Sequence, residues 1–308
     1  MIGCFGKLPA DADFVSLHGA VEEVREFDAW LQAAIGGLQH EEDWRERFDR
    51  LPLSFYCYRA RTGNWLFAGL VSSRDASGRR YPFMVFQCVH RGLVEGFVSP
   101  HTLFETFAGQ LAPMLNQARS GADAGALIER IAALRPWGEQ DLHLYRRVHD
   151  KFLQDFNLLD IASALQHAYP EFVSRASLHR LAGLAQQLRA GVKPVARLPL
   201  PAERGLKRPV ADLWCTWLAS LVPASTIPEV SVLVDDFMRP SLLCLSRSSD
   251  AAYRVLAGCD RKRECYDLLG SFDVFDEQRR ELAFPDADLP LGDFIERFSL
   301  SLTAASLP

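Results

Sequence analysis

The chain has 308 residues, of which 48% are hydrophobic and 24% charged. This composition fits one large globular domain or two modest ones and excludes long disordered tracts. The net charge of −5 excludes a general nucleic-acid binder, because phosphate neutralisation needs a basic surface; no apolar run approaches the roughly 18 residues that span a bilayer.

"IGCFG" at the N-terminus reads as a short strand closed by Gly6, and "KLPADADF" as a loop held extended by Pro9. No basic region followed by an apolar core precedes them, so no secretory signal is expected and the address is cytoplasmic. Val21, Val24, Phe27, Leu31 and Ile35 recur at spacings of three and four and predict a helix ended by Gly36-Gly37. A second short helix is expected over residues 41–48. The period then changes. "LPLSFYCYRA", "NWLFAGLVSS" and "RRYPFMVFQCV" are aromatic and β-branched runs separated by the turns "RTGN" and "RDASG", which predicts three antiparallel strands in a meander. The third run is apolar on both faces, so that strand should be central and covered twice.

Helical periodicity resumes near His101 and continues to about Ala190, with Pro113 limiting or kinking its first helix. "ADAGALIERIAALR", "LHLYRRVHDKFLQDF" and "SLHRLAGLAQQLRAG" are the further helices expected there. Residues 191–209, rich in proline and basic side chains, read as an exposed connection. "VADLWCTWLASLV" suits either a strand or a buried helix. "EVSVLVD" and "PSLLCLSRS" are expected strands, "SDAAYRVLAGC" a short helix, and "LPLGDFIERFSLSLTAA" an amphipathic closing helix. The order gives an α+β layered fold rather than a regular βαβ alternation. The domains expected are residues 1–119, a helical block with its connection over 120–209, and an α/β part over 210–308 that packs with the first.

Seven cysteines are scattered without any C-x-x-C pair, and most lie in apolar runs such as "SFYCYR", as reduced core thiols do. Cys259 and Cys265 flank the basic turn 260–264 at a spacing that matches no metal signature. The Gly6-Lys7 pair invites comparison with a nucleotide loop. That loop needs a glycine five positions before Gly6 and a hydroxyl after the lysine; Met1 and Leu8 stand there, and Pro9 removes a backbone N–H. No nucleophile elbow, H-E-x-x-H motif or nucleophile–base set is present, so no catalytic residue, metal site or cofactor is expected. Asp11 and Asp13 could hold a cation, although turn formation is the commoner use of such acids.

Gly3, Gly6, Lys7, Leu8, Pro9, Asp13, Phe14 and Val15, followed by Asp28, Trp30 and Leu31, resemble the N-terminal signature of the TagF (ImpM) family of type VI secretion. Trp65, Gly69, Asp75, Gly78, Arg79 and Pro82 resemble the family's second block. Departures are Ala12 for the usual glycine, Phe27 where tryptophan is frequent, and Ser73-Arg74 for Pro-Ser. "DLWCTW" resembles, more loosely, a family strand. The resemblance implies a longin-like antiparallel sheet with flanking helices, here with an enlarged helical middle block. It also implies a non-enzymatic cytoplasmic repressor acting after translation. The implied partner is a protein of the secretion machinery, the forkhead-associated scaffold Fha, with no nucleic acid and no membrane insertion. The alternative is a nucleotide- or anion-binding switch or enzyme at a Lys7/Asp13/Arg79 end of the sheet. Trp44, Trp65, Trp137 and the basic connection 191–209 are candidate interface residues.

Overall fold

Alternating side chains build the sheet. In β3 (Ser54–Arg59), β4 (Trp65–Val71) and β5 (Phe83–Val89), successive residues enter opposite cores. Phe55, Cys57, Trp65, Phe67, Phe83 and Val85 face one core, and Tyr56, Tyr58, Leu66, Ala68, Met84 and Phe86 face the other. The computed structural model describes residues 1–96, 100–259, 265–269 and 284–305. Among these the remaining strands are β1 (Ile2–Lys7), β2 (Phe14–Leu17), β6 (Val195–Pro199), β7 (Val230–Val234), β8 (Ser241–Leu245) and β9 (Cys265–Asp267). They form one nine-stranded open sheet in the order β2-β1-β5-β4-β3-β7-β8-β6-β9. The β6–β9 pair is parallel and the other pairs are antiparallel. The fold is therefore mixed α+β, with the expected meander at its centre.

Helices cover both faces. On the first lie α3 (His101–Arg119), α4 (Ala124–Ala132), α5 (Glu139–Asp155), α6 (Leu158–Ala168), α7 (Ser174–Arg189), α8 (Arg204–Leu221) and α10 (Leu291–Ala305). On the second lie α1 (Glu22–Leu38), α2 (Trp44–Asp49) and α9 (Ala252–Leu256). Trp214 and Trp217 of α8 stack at 5.8 Å, and Phe294 and Phe298 of α10 meet Trp217 edge-on at 5.7 and 5.5 Å. Aromatic contacts of this geometry add to the area they bury. Gly69 in β4 gives α3 room: a Cβ there would lie 2.8 Å from Leu115 and 3.0 Å from Leu111.

Several expectations are corrected. Helix α1 runs through Gly36-Gly37 to Leu38. Gly37 serves packing, since a Cβ on it would sit 2.7 Å from the Asp250 carbonyl oxygen. Helix α2 starts at Trp44, later than expected, and α3 continues through Pro113. Residues 191–209 are not an exposed connection. Strand β6 inserts there between β8 and β9 with Val195, Ala196 and Leu198 buried, and α8 begins at Arg204. Prolines near both ends of β6 disguised it, and two basic side chains of α8 are engaged: Lys207 pairs with Asp235, and Arg208 is buried and donates to the His101 carbonyl at 3.4 Å. "DLWCTW" is helical: it lies inside α8, where Trp214 donates its Nε1 to the Pro199 carbonyl of β6 at 2.8 Å and Trp217 meets α10. Strand β2 and helix α6 were not expected. The basic turn 260–264 lies outside the described residues.

Candidate functional site

Strand β1 delivers Lys7 to one end of the sheet, beside the loop between β4 and β5. Gly6 has φ +140°, and a Cβ on it would stand 2.2 Å from the Pro82 carbonyl oxygen. Glycine is therefore demanded twice, by backbone conformation and by the approach of Pro82. The neighbouring loop turns on Gly78 at φ +83°, with its N–H donated to the Asp75 carbonyl at 2.9 Å.

Asp75 is the centre of this end. Its Oδ1 accepts from the Ser77 hydroxyl at 2.7 Å and from the Ser77 and Arg79 backbone N–H groups at 3.0 and 2.9 Å. Its Oδ2 accepts from Lys7 Nζ at 2.8 Å and Arg79 Nε at 2.7 Å. The Asp75 and Lys7 side chains are buried, whereas Arg79 is largely exposed. Burial pushes the Asp75 carboxyl up, but hydrogen bonds from Lys7, Ser77 and Arg79 outweigh it and hold the group well below the usual carboxylate range. Arg79 also donates Nη2 to the Ala12 carbonyl at 2.7 Å, and Ala76 N–H reaches the Asp11 carbonyl at 2.8 Å. The two loops are thus tied side chain to backbone and backbone to backbone.

Aromatic rings cover the joint. Lys7 Nζ lies 5.1 Å from the Phe14 ring centroid. Phe14 stacks on Phe5 and meets Tyr81 edge-on, each at 5.2 Å. Tyr81 donates its hydroxyl to Asp28, and Arg80 grips Asp49 with two bonds of 2.9 and 2.7 Å.

Of the sequence-identified residues, Gly6, Lys7, Phe14, Asp75, Gly78, Arg79 and Pro82 are brought together, with Pro9 in the adjoining loop. Asp13 stays exposed and accepts only from the following Phe14 N–H at 2.8 Å. Trp30 is elsewhere, buried in the second core with its Nε1 donating to the Ser249 carbonyl at 3.1 Å. Trp65 sits at the opposite end of β4, paired with Val89, while Val71 pairs with Phe83 next to Gly6. Trp65 and Trp137 are 5% and 3% exposed, which removes both from the candidate interface residues.

A second polar cluster escaped the sequence reading. Asp212 of α8 accepts the His101 and Thr102 N–H groups at 2.5 and 2.9 Å and so caps α3 from another helix. The His101 ring lies 2.9 Å from the Ser231 hydroxyl and 3.6 Å from the Cys57 sulfur. Burial lowers His101 to about 3 and raises Asp212 to about 7. These groups are enclosed, so their role is internal.

Chemically, the joint spends its charges on itself. Lys7 and Arg79 share one carboxylate. Two surface depressions of about 240 and 320 Å³ are lined by other residues, around Arg47 and Leu256 and around Tyr169 and Leu243. Among the described residues no group of three His, Cys, Asp or Glu could hold a metal ion, and no helix is long and apolar enough to cross a membrane.

An open, mostly antiparallel sheet with helices on both faces, and a polar joint tying two loops at one end, define a scaffold of the mixed α+β class. Its first part is similar to a known domain. Residues 3–134 match the model of the TagF N-terminal domain, type VI secretion system-associated. The crystal structure of PA0076 from Pseudomonas aeruginosa PAO1 is similar at 24% identity, with 45% of this chain and 64% of that chain covered and a TM-score of 0.38. This chain thus spans less than two thirds of that one. No curated protein matches.

Proposed function

We propose that this chain is a non-enzymatic accessory protein that restrains assembly of a type VI secretion apparatus after translation, by binding a protein of that machinery. The family match over residues 3–134 supplies the system. The forkhead-associated scaffold Fha is the partner taken here, the cytoplasm is the location, and the sheet with its flanking helices is read as longin-like. One observation carries the binding role over the anion-switch alternative. Lys7 and Arg79, the cations of the signature, both bond Asp75 at 2.8 and 2.7 Å, so they act as a joint that shapes a surface.

The test uses the purified full chain and the purified scaffold from the same secretion cluster. Calorimetry should give saturable binding, and deletion of the gene should raise secretion. Absence of binding together with unchanged secretion overturns the reading. Titration with GTP, ATP or a phosphothreonine peptide should give no heat; binding that disappears in Lys7→Met would favour the switch instead.

A further inference from the structure

The hairpin from β7 to β8 carries two large apolar side chains into solvent. Phe237 is 87% exposed and Met238 67% exposed. Singly scattered apolar residues are ordinary on a surface, but these two are adjacent and stand on a braced turn. Asp236 Oδ1 accepts the Met238 and Arg239 N–H groups at 2.7 and 2.8 Å. Lys207 of α8 holds Asp235 at 2.5 Å on one flank. On the other, Arg239 bonds Glu171 and lies 4.7 Å from the Tyr169 ring centroid, while the Tyr169 hydroxyl donates to the Pro240 carbonyl at 2.6 Å. The backbone is therefore fixed before any partner arrives, which lowers the ordering penalty of association.

Charge narrows the partner. Lys207 neutralises Asp235 and Arg239 neutralises Glu171, leaving the Asp236 carboxylate as the tip's net charge. An anionic bilayer repels such a tip, and a protein pocket with apolar walls and a basic rim complements it. Phe and Met are side chains that interface cores favour, and methionine adapts to irregular pockets.

We infer that the Phe237–Met238 tip is the anchor by which this chain docks its protein partner, inserting into an apolar pocket edged by lysine or arginine. This rests on the binding role proposed above. The test is calorimetry of the full chain and of Phe237→Ser/Met238→Ser against the purified forkhead-associated scaffold. The double variant should bind about thirtyfold more weakly or worse, as for loss of a hot spot, with an unchanged melting temperature because both side chains face solvent. Should the double variant melt earlier, Phe237→Ala alone provides the reading and should weaken binding at least tenfold. Wild-type affinity in a folded variant overturns the tip and leaves the proposed function standing. Failure of the wild-type chain to bind overturns the inference, and together with unchanged secretion on deletion of the gene it overturns the proposed function as well. Flotation with phosphatidylglycerol vesicles that is lost in the double variant would make the tip a membrane anchor and overturn the inference.

Discussion

The Asp75 carboxylate accepts five hydrogen bonds, two of them from the side-chain cations of Lys7 and Arg79, and this sets how the protein meets acid. Its folded pKa is lowered. Its contribution to stability is therefore complete above the ordinary carboxylate range and is lost as pH falls through the lowered value. Urea unfolding at pH 7 and pH 3 should show a smaller acid loss in Asp75→Asn than in the wild type. The variant should already be less stable at pH 7, because Lys7 then lacks its counter-charge in a buried place. Two glycines of the same joint separate strain from crowding. Gly78 at φ +83° has open space where a Cβ would go, so Gly78→Ala should destabilise by about 1 kcal/mol from the left-handed backbone alone. Gly6→Ala meets both an adverse φ and the Pro82 carbonyl and should destabilise by about 3 kcal/mol, measured in the same unfolding assay. The glycines, prolines and charges of this end were legible in the sequence as a set. Their purpose was not, because Lys7 and Asp75 are 68 positions apart and only the sheet brings them within bonding distance.

At the scale of elements, ends are decided by neighbours as often as by local residues. Helix α6 carries its own cap: Asn157 accepts the Asp160 N–H at 2.9 Å and Asp160 accepts the Asn157 N–H at 3.0 Å. Asn157→Ala should lower stability by about 1 kcal/mol in thermal or urea unfolding. Helix α3 depends instead on Asp212 of α8, and the titrations of this cluster oppose each other. His101 is lowered to about 3, so its contribution is full above the unfolded value near about 6.5 and is lost as pH falls. Asp212 is raised to about 7, so its contribution declines as pH rises from about 4 towards that value. Between those limits the two offset, and below about pH 4 the His101 loss is unopposed. Asp212→Asn should turn the flat region into a stability that climbs with pH, readable in denaturant midpoints between pH 4 and 6.5. An unchanged flat profile would contradict this account of the cluster. The two strands that the sequence hid were hidden for different reasons. Strand β2 has only four residues, too few for alternation to register, and β6 is bounded by prolines.

For the whole molecule, sheet continuity is the decisive property. Strand β3 pairs with β4 on one side and with β7 on the other, so the family-matched segment and the C-terminal strands share one hydrogen-bonded layer. The first core is likewise common property, with Phe55, Phe104, Trp214 and Trp217 in the same cluster. The full chain should therefore unfold in one cooperative transition. A fragment of residues 1–134 should lack a cooperative melt and should aggregate, because it bares the long β3 edge and the apolar face that α8 covers. A monomeric fragment with a sharp melt would show that the first segment folds alone. The sequence by itself determined the central meander, the amphipathic helices and the family likeness, since side-chain period and short motifs are local properties carried along the chain. Only the tertiary structure decided that Lys7 belongs to a joint, that Val195–Pro199 is a strand and a helix begins at Arg204, and that Phe237 and Met238 stand in solvent. Each of these turns on partners distant in sequence, such as the 111 positions between His101 and Asp212, and burial is a property of the folded whole.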